Sequence, residues 1–454
     1  MDPLLRFKQQ LPASLSLVWQ RLNEAIAARG EAEFISAEAY LVGGAVRDIL
    51  LGLPVHDFDL ASPLRPEEIK QIFPEYLVLD TGIAHGTVSI CLAGESFELT
   101  SFRSEGPYLD GRRPAYVRFE SSLEQDLGRR DFTINAMALS LAGELIDPYH
   151  GLADLRSGII RAVGDPELRF AEDPLRLMRA VRFANRLGFR FAKQSEAALI
   201  KQAKLIRKIS RERIASEFLQ ILEANPRGIM DLHRLGILKE IFPDLDATFD
   251  CQQEGPWHLY NVGEHSVKLA EFKKSQSFRL AALLHDLGKV KCKSIDQDGV
   301  AHFYGHAAVS AELAAKILAQ LFIPKKERKM ILRAIALHDY TSKKPAKIAR
   351  LVRAESPETL ALLIDLKRGD IAAQSEYKRA EKLALLEAQE SLIKQFLSGP
   401  HKLSHLAIKG SDLYSLGYRG AAIGERLAEL LAFVMEDPAR NRRELLLARA
   451  AKML

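Results

Sequence analysis

Residues 40 to 61 read YLVGGAVRDILLGLPVHDFDLA, a run that holds a glycine pair, an arginine and two carboxylates spaced two apart. Gly43 and Gly44 end a short apolar run, and a turn without Cβ atoms lets an anion approach backbone amides. The spacing of AVRDILLGL predicts a helix carrying Arg47, and VHDFDLA predicts a strand on which Asp57 and Asp59 share one face. Two carboxylates on one face repel each other unless a divalent cation lies between them, and oxygen-only ligands suit Mg²⁺. The chemistry implied is metal-dependent phosphoryl transfer.

Two further clusters fit an anionic nucleotide. In EQDLGRRDFTINAMALS, Arg129, Arg130 and Asp131 precede an apolar segment, where adjacent guanidiniums can clamp a triphosphate held from the other side by the glycine turn. In FAEDPLRLMRAVRFANRLGF, a proline tolerated in a first turn predicts a helix starting near Asp173. Asp173, Arg176, Arg179 and Arg182 then recur every third residue, so that Asp173 and Arg176 are neighbours and Arg182 lies roughly opposite. An acceptor beside a donor matches the amino group and ring nitrogen of cytosine and of adenine. Uracil and guanine present the reverse pattern, and each buried mismatch costs about 1–3 kcal/mol.

A third constellation is histidine-rich. His265, His285, Asp286 and Asp370 are spread over helical sequence, with His306 and His338 between them. Imidazole combined with carboxylate suits Mn²⁺, Ni²⁺ or Co²⁺ better than Mg²⁺ alone, with a metal-bound water as nucleophile. His306 and His338 are candidates for a second ion or for phosphate.

The elements that must position these residues change character once. From Tyr40 to about Asp147 short β-branched runs such as GTVSICL and SFELTSF alternate with glycine turns, and beyond Gly151 amphipathic helix dominates. The 454 residues are 47% hydrophobic and 27% charged, enough for several domains and unlike a disordered chain. Cys91, Cys251 and Cys292 lie too far apart for a thiolate zinc motif, which predicts free thiols. No apolar run reaches the roughly 20 residues of a membrane span, and a reducing cytoplasm is expected. A net charge of +5 is compatible with an acidic polymer as partner.

The ordered set LVGGAVRDILLG, DFDLA, TGIAHGTVSI, LGRRDFTINAMAL, IDPYHGLADL, EDPLRLMRAVRFA and RERIASEF resembles the bacterial class II tRNA nucleotidyltransferases, the CCA-adding enzymes. The resemblance implies an α+β chain: a DNA polymerase beta-like head with a mixed sheet, followed by all-helical neck, body and tail. It implies addition of C and A to the tRNA 3′ end from CTP and ATP without a nucleic-acid template. By position, Asp57 and Asp59 would hold Mg²⁺, and Gly43, Gly44 and Arg47 would meet the incoming nucleotide. Arg129, Arg130, Asp131, Asp173, Arg176, Arg179 and Arg182 would belong to its pocket, and Glu98 is the candidate third carboxylate. The histidine set resembles an HD phosphohydrolase, a domain that in related tRNA enzymes hydrolyses phosphate ends including 2′,3′-cyclic phosphates.

The expected layout is an N-terminal helical extension over 1–37, the head over 38–150, and neck and body over 151–250. An HD domain over 255–390 and an RNA-binding tail over 400–454 follow. DTGIAHGTVSI disfavours the related poly(A) polymerases, and the full-length segment FRSEGPYLDGRRPAYVRF favours CCA or terminal A addition over CC addition, without separating the first two. A reading from another class, an HD phosphohydrolase using the head only to bind RNA, rests on the histidines.

Overall fold

A computed structural model describes residues 7, 11–29, 38–55, 57–82, 86–105, 117–119 and 122–452. His56 lies outside the described residues, as do 83–85 and 106–116, which belong to the two segments on which the subtype reading draws. The chain divides into two units, Met1–Ile241 and Phe242–Leu454. The division falls before the junction expected near 249–257.

The first unit is built on a seven-stranded mixed sheet. Its seven strands are β1 (Tyr40–Val42), β2 (Phe58–Ser62), β3 (Leu77–Gly82), β4 (Thr87–Leu92), β5 (Glu95–Ser101), β8 (Ala138–Ser140) and β9 (Leu145–Ile146); β6 (Arg103–Glu105) and β7 (Val117–Phe119) form a separate pair. The order across the sheet is β3-β4-β5-β2-β1-β8-β9. β2 and β5 run parallel, while the other neighbours run antiparallel. Leu41, Val42, Leu60, Ala61, Phe97 and Leu99 are buried on these central strands. The helix Ala13–Ala27 buries Leu15, Val18, Trp19, Leu22 and Ile26, and the Trp19 indole donates to the Ala39 carbonyl at 2.8 Å.

Two sequence expectations are corrected here. The strand carrying the carboxylates begins at Phe58, so Asp57 stands on the turn just before β2 rather than on its pleat. Pro54 cannot donate to a ladder, and pairing with β1 starts only at Asp59. The second helix of the base reader spans Leu175–Leu187, not from Asp173. Asp173 is extended, with φ −133° and ψ 98°, between that helix and Pro166–Glu172. The cause is local: a residue preceding proline is excluded from the α region.

In the second unit, helices carry nearly all of the chain. Ile348, Leu351, Leu360 and Leu363 share one core with Leu386, Ile393, Leu406, Leu413, Leu431 and Leu446. The helices beyond position 400 therefore pack onto those before it. No described helix is long and apolar enough to cross a membrane.

Candidate active sites

In the first unit the residue pattern converges on a cavity of about 770 Å³ lined by Gly43, Gly44, Arg47, Asp57, Asp59, Arg129, Arg130, Asp131, Asp173, Arg176, Arg179 and Arg182. Gly43 has φ +72° and starts the helix Gly44–Leu50. A Cβ at Gly43 would lie 2.8 Å from the Arg130 guanidinium, so the turn admits only glycine without displacing that arginine.

Parallel pairing of β2 with β5 sets Asp59 in register with Glu98. Burial, then Glu98 and Asp57, push the Asp59 carboxyl up to about 6, against the opposing pull of Arg130. Strand pairing thus concentrates carboxylates where only a cation can relieve the repulsion, and the oxygen donors fit a hard divalent ion.

Across the cavity each arginine is held by a carboxylate. Asp126, fully buried, accepts from Arg129 Nη2 at 2.7 Å and from Arg130 Nη2 at 3.1 Å. Burial works to raise its carboxyl, but the two guanidiniums outweigh that and hold it below the usual range. Asp126 escaped the sequence reading, although its i, i+3 and i, i+4 spacing to the two arginines signals the pairing. Asp131, expected at the nucleotide, lines the cavity and accepts from Phe132 N at 2.8 Å, Asn135 Nδ2 at 3.1 Å and Arg179 Nε at 2.7 Å. Arg182 was expected on the opposite side of the helix from Asp173. It lines the same cavity, drawn there by Glu217 at 2.7 Å. The Phe183 ring lies under the guanidiniums of Arg47, Arg179 and Arg182 at 5.1, 5.4 and 4.5 Å.

The expected base reader is present in different form. The Arg176 backbone N–H donates to the Asp173 carbonyl at 3.0 Å, but their side chains take other partners. Asp173 is gripped by Arg213, whose Nη2 donates to Oδ2 at 2.8 Å. Arg176 donates to Glu172 Oε2 at 2.7 Å, to the Arg169 carbonyl at 2.8 Å and to the Arg129 carbonyl at 3.1 Å. Acceptor and donor are oriented by separate partners on one cavity wall. Arg213 lies within the motif RERIASEF but at no spacing that marked it.

In the second unit, His265 comes from the helix Val262–Ala270, His285 and Asp286 follow Gln276–Leu284, and Asp370 lies on Pro357–Ala373. His306 opens the helix His306–Gln320 and His338 closes Lys325–Leu337. His285, His306 and His338 each use Nδ1 on the carbonyl three residues earlier, at 2.8, 2.8 and 2.7 Å. A carbonyl accepts only, so Nδ1 carries a proton, and in the neutral ring Nε2 presents its lone pair inward.

Those lone pairs face other acceptors. His306 Nε2 is 3.0 Å from His338 Nε2 and 3.2 Å from Asp286 Oδ1, and His285 Nε2 is 3.1 Å from Asp286 Oδ2. His265 Nε2 lies 2.8 Å from Asp370 Oδ1. Burial opposes the charge on Asp286, yet protonated His285, the Lys289 ammonium and protonated His306 hold its carboxyl well below the usual range, positive charge that a bound cation would supply in their place. Three donor groups result: His265, His285 and Asp370; His285, Asp286 and His338; and His306, His338 and Asp339. Acceptors aimed at one another fit a divalent metal, and the mixed nitrogen and oxygen donors fit a transition ion. Asp339, Lys289 and His258 were missed. His258 sits against His265 with ring centroids 5.7 Å apart, and burial, then Lys289 and His265, push it down to about 3.

Crowded carboxylates on a mixed sheet, opposed by guanidiniums across a cavity, suit a metal-bound triphosphate, and the first unit has the fold of a nucleotidyltransferase. Residues 39–161 match the Poly A polymerase head domain, 188–249 the probable RNA and SrmB-binding site of polymerase A, and 257–374 the HD domain, which encloses the histidine cluster. The chain belongs to the CCA-adding enzyme family. It is 35% identical over 422 residues to the CCA-adding enzyme of Enterococcus faecalis, an alignment covering 91% of this chain and 92% of that one. It is 52% identical to that of Lactobacillus helveticus over 184 residues, 40% of this chain and 46% of the other, so this match spans about half of that relative's length. The crystal structure of Bacillus stearothermophilus CCA-adding enzyme in complex with CTP superposes with a TM-score of 0.68 at 27% identity, covering 96% of this chain and 97% of that one.

The elevated Asp59 carboxyl has a measurable sign. An unfolded chain ionises this group near 3.8 and the folded chain only near 6, so the group lowers folding stability as pH climbs through that interval. Without metal, Asp59→Asn is expected to raise Tm at pH 7.5 and to leave it unchanged at pH 3.5. Saturating Mg²⁺ should reverse the pH 7.5 difference. A thermal melt series at both pH values with and without Mg²⁺ checks this.

Proposed function

We propose that this chain adds C and A residues from CTP and ATP to the 3′ end of tRNA without a nucleic-acid template. The observation that carries the reading is the register of Asp59 with Glu98, beside Asp57 and opposite the arginine wall. Relatives named as CCA-adding enzymes along nearly the whole chain support this over poly(A) synthesis.

Asp57 and Asp59, with Glu98 beside them, would hold Mg²⁺, which supplies charge neutralisation for the triphosphate and for the attacking 3′ hydroxyl. The amides of the Gly43–Gly44 turn approach the phosphates from one side. Arg129 and Arg130, kept in place by Asp126, approach from the other. Asp173 accepts from the exocyclic amino group of cytosine or adenine while Arg176 donates to the adjacent ring nitrogen. For that, Asp173 must share its carboxylate with Arg213, so Arg213 sets how the acceptor is aimed.

A second activity in the other unit is favoured by the inward lone pairs of three tautomer-locked histidines. We read this cluster as an HD phosphohydrolase site acting on phosphate ends, with Mn²⁺, Ni²⁺ or Co²⁺ held by His265, His285, Asp286 and Asp370, and His306 and His338 serving a second ion.

Incubating tRNAs that end before CCA, after C and after CC with labelled CTP or ATP separately tests the main reading and resolves CCA from A-only addition. Asp57→Ala should abolish addition on all three, with tRNA affinity held within a few-fold because basic contacts dominate binding. Residual addition above about one part in a thousand would exclude a metal role for Asp57.

For base selection, Arg213→Ala and Asp173→Ala should each shrink the kcat/KM preference for CTP over UTP by about tenfold or more, equivalent to about 1–3 kcal/mol. Loss of overall rate at an unchanged preference would place selection elsewhere. In the HD unit, His285→Ala should remove metal-stimulated release of phosphate from cyclic-phosphate ends and leave nucleotide addition intact. Absence of hydrolysis by the unaltered protein with all three metals would make the cluster structural.

A further inference from the structure

Carboxylates hold the arginines of the first cavity by their edges, but one ring meets three of them by the face. Phe183, 5% exposed on the helix Leu175–Leu187, lines the cavity. Arg179 lies one turn before it and Arg182 directly before it on that helix, while Arg47 reaches it from the helix Gly44–Leu50. The Cζ atoms of Arg47, Arg179 and Arg182 stand 5.1, 5.4 and 4.5 Å from its centroid. The fully buried Phe132 ring meets Phe183 at 77° with centroids 5.8 Å apart, which fixes the plane of the ring.

A guanidinium carries its N–H donors in its own plane, so an acid that pairs with it takes up donors and cancels charge. An aromatic face attracts the same cation through its quadrupole and takes no donor. Here the edges are already assigned. Arg47 gives Nε and Nη2 to Asp48 at 2.8 and 2.7 Å and Nη1 to Asn135 at 2.7 Å. Arg179 gives Nε and Nη2 to Asp131 at 2.7 and 2.6 Å, and Arg182 gives Nε to Glu217 at 2.7 Å. Each of these bonds fixes one edge of a guanidinium, and the ring limits how far the rest can tilt. Three like charges around one point also repel. Burial pushes the Arg47 guanidinium below its ordinary range, with Arg186 adding to that and Asp48 opposing it. A negative ring face offsets that repulsion without neutralising a wall that must take a triphosphate. With the cavity read as the nucleotide site, we infer that Phe183 is a positioning residue for nucleotide addition: its face sets the planes of Arg47, Arg179 and Arg182, so that the incoming nucleotide meets donors already aimed.

The test replaces Phe183 in the full-length protein by 4-fluoro-, 3,5-difluoro- and 3,4,5-trifluorophenylalanine, which withdraw electron density from the ring face at nearly constant size. Phe183→Leu is made beside them; because it opens a cavity in the core and can unfold the chain, the fluorine series decides. With tRNAs ending before CCA and after CC, kcat and KM are measured for CTP and ATP, together with KM for tRNA and Tm. The nucleotide KM should climb with each fluorine and reach about tenfold at the third, while Tm and KM for tRNA hold. A nucleotide KM that stays level across the series would overturn the inference even if Phe183→Leu is inactive, since the ring would then serve packing alone. So would nucleotide and tRNA KM rising together, or Tm falling in step, because either marks a general loss of structure. If the unaltered protein adds neither nucleotide, the transferase reading fails on its own, and calorimetric titration of the same series with CTP and Mg²⁺ still decides the role of the ring. There, affinity falling with each fluorine upholds it, and CTP that binds all forms equally or none of them overturns it.

Discussion

The buried carboxylate of Asp131 holds the first unit's pocket together. It lies on the turn after Arg129 and Arg130, and its oxygens are taken by a backbone amide, by Asn135 and by Arg179. Through Arg179 it joins the sheet-bearing part of the chain to the helix Leu175–Leu187. Through Asn135 it reaches Arg47 beside the glycine turn, whose Nη1 donates to Asn135 Oδ1 at 2.7 Å. Removing one partner from such a buried pair costs about 3–5 kcal/mol, because the other charge is left without compensation. Arg47 and Arg179 are thus tied together through one residue that is itself nine-tenths or more out of water.

Much of this was legible in the chain, and the failures have physical causes. Gly43, Gly44, Asp57, Asp59 and the arginine clusters were visible because their spacing is local, and the structure brings them to one cavity. Asp131 lines that cavity too, but its bonds to Asn135 and Arg179 were not legible, because charge next to two arginines looks the same in sequence whether it faces a ligand or a helix. Asp173 and Arg176 do share one cavity wall, but Asp173 is extended rather than helical, since the following proline disfavours the α region there. Arg213 could not be found from spacing, since its partner is 40 residues away. The HD set was legible as a group, but its internal order was not: that Asp286 lies between the histidines depends on five helix ends meeting at one place.

The two units solve a common electrostatic problem with different materials. In the first, strand register crowds oxygen atoms and lets arginines across a cavity balance them. In the second, the imidazoles of His285, His306 and His338 are each oriented by the carbonyl three residues earlier, a bond that needs only the local segment that carries it. Orientation there costs little extra sequence. These three histidines stand at helix ends, with a carbonyl three residues back within reach, whereas His265 lies within its helix.

The order of strands in the sheet bears on how this chain is made. β1 lies between β2 and β8. Its first partner is 16 residues downstream, counting from Val42 to Phe58, but its second begins at Ala138, a further 80 residues on. A ribosome adding about 5–20 residues per second would leave the β8-facing edge of β1 open for several seconds after the β2 edge had closed. During that interval a strand with a buried, apolar Leu41 and Val42 presents unpaired amides to the surroundings. Its shortness, three residues, limits what can add to it while it waits.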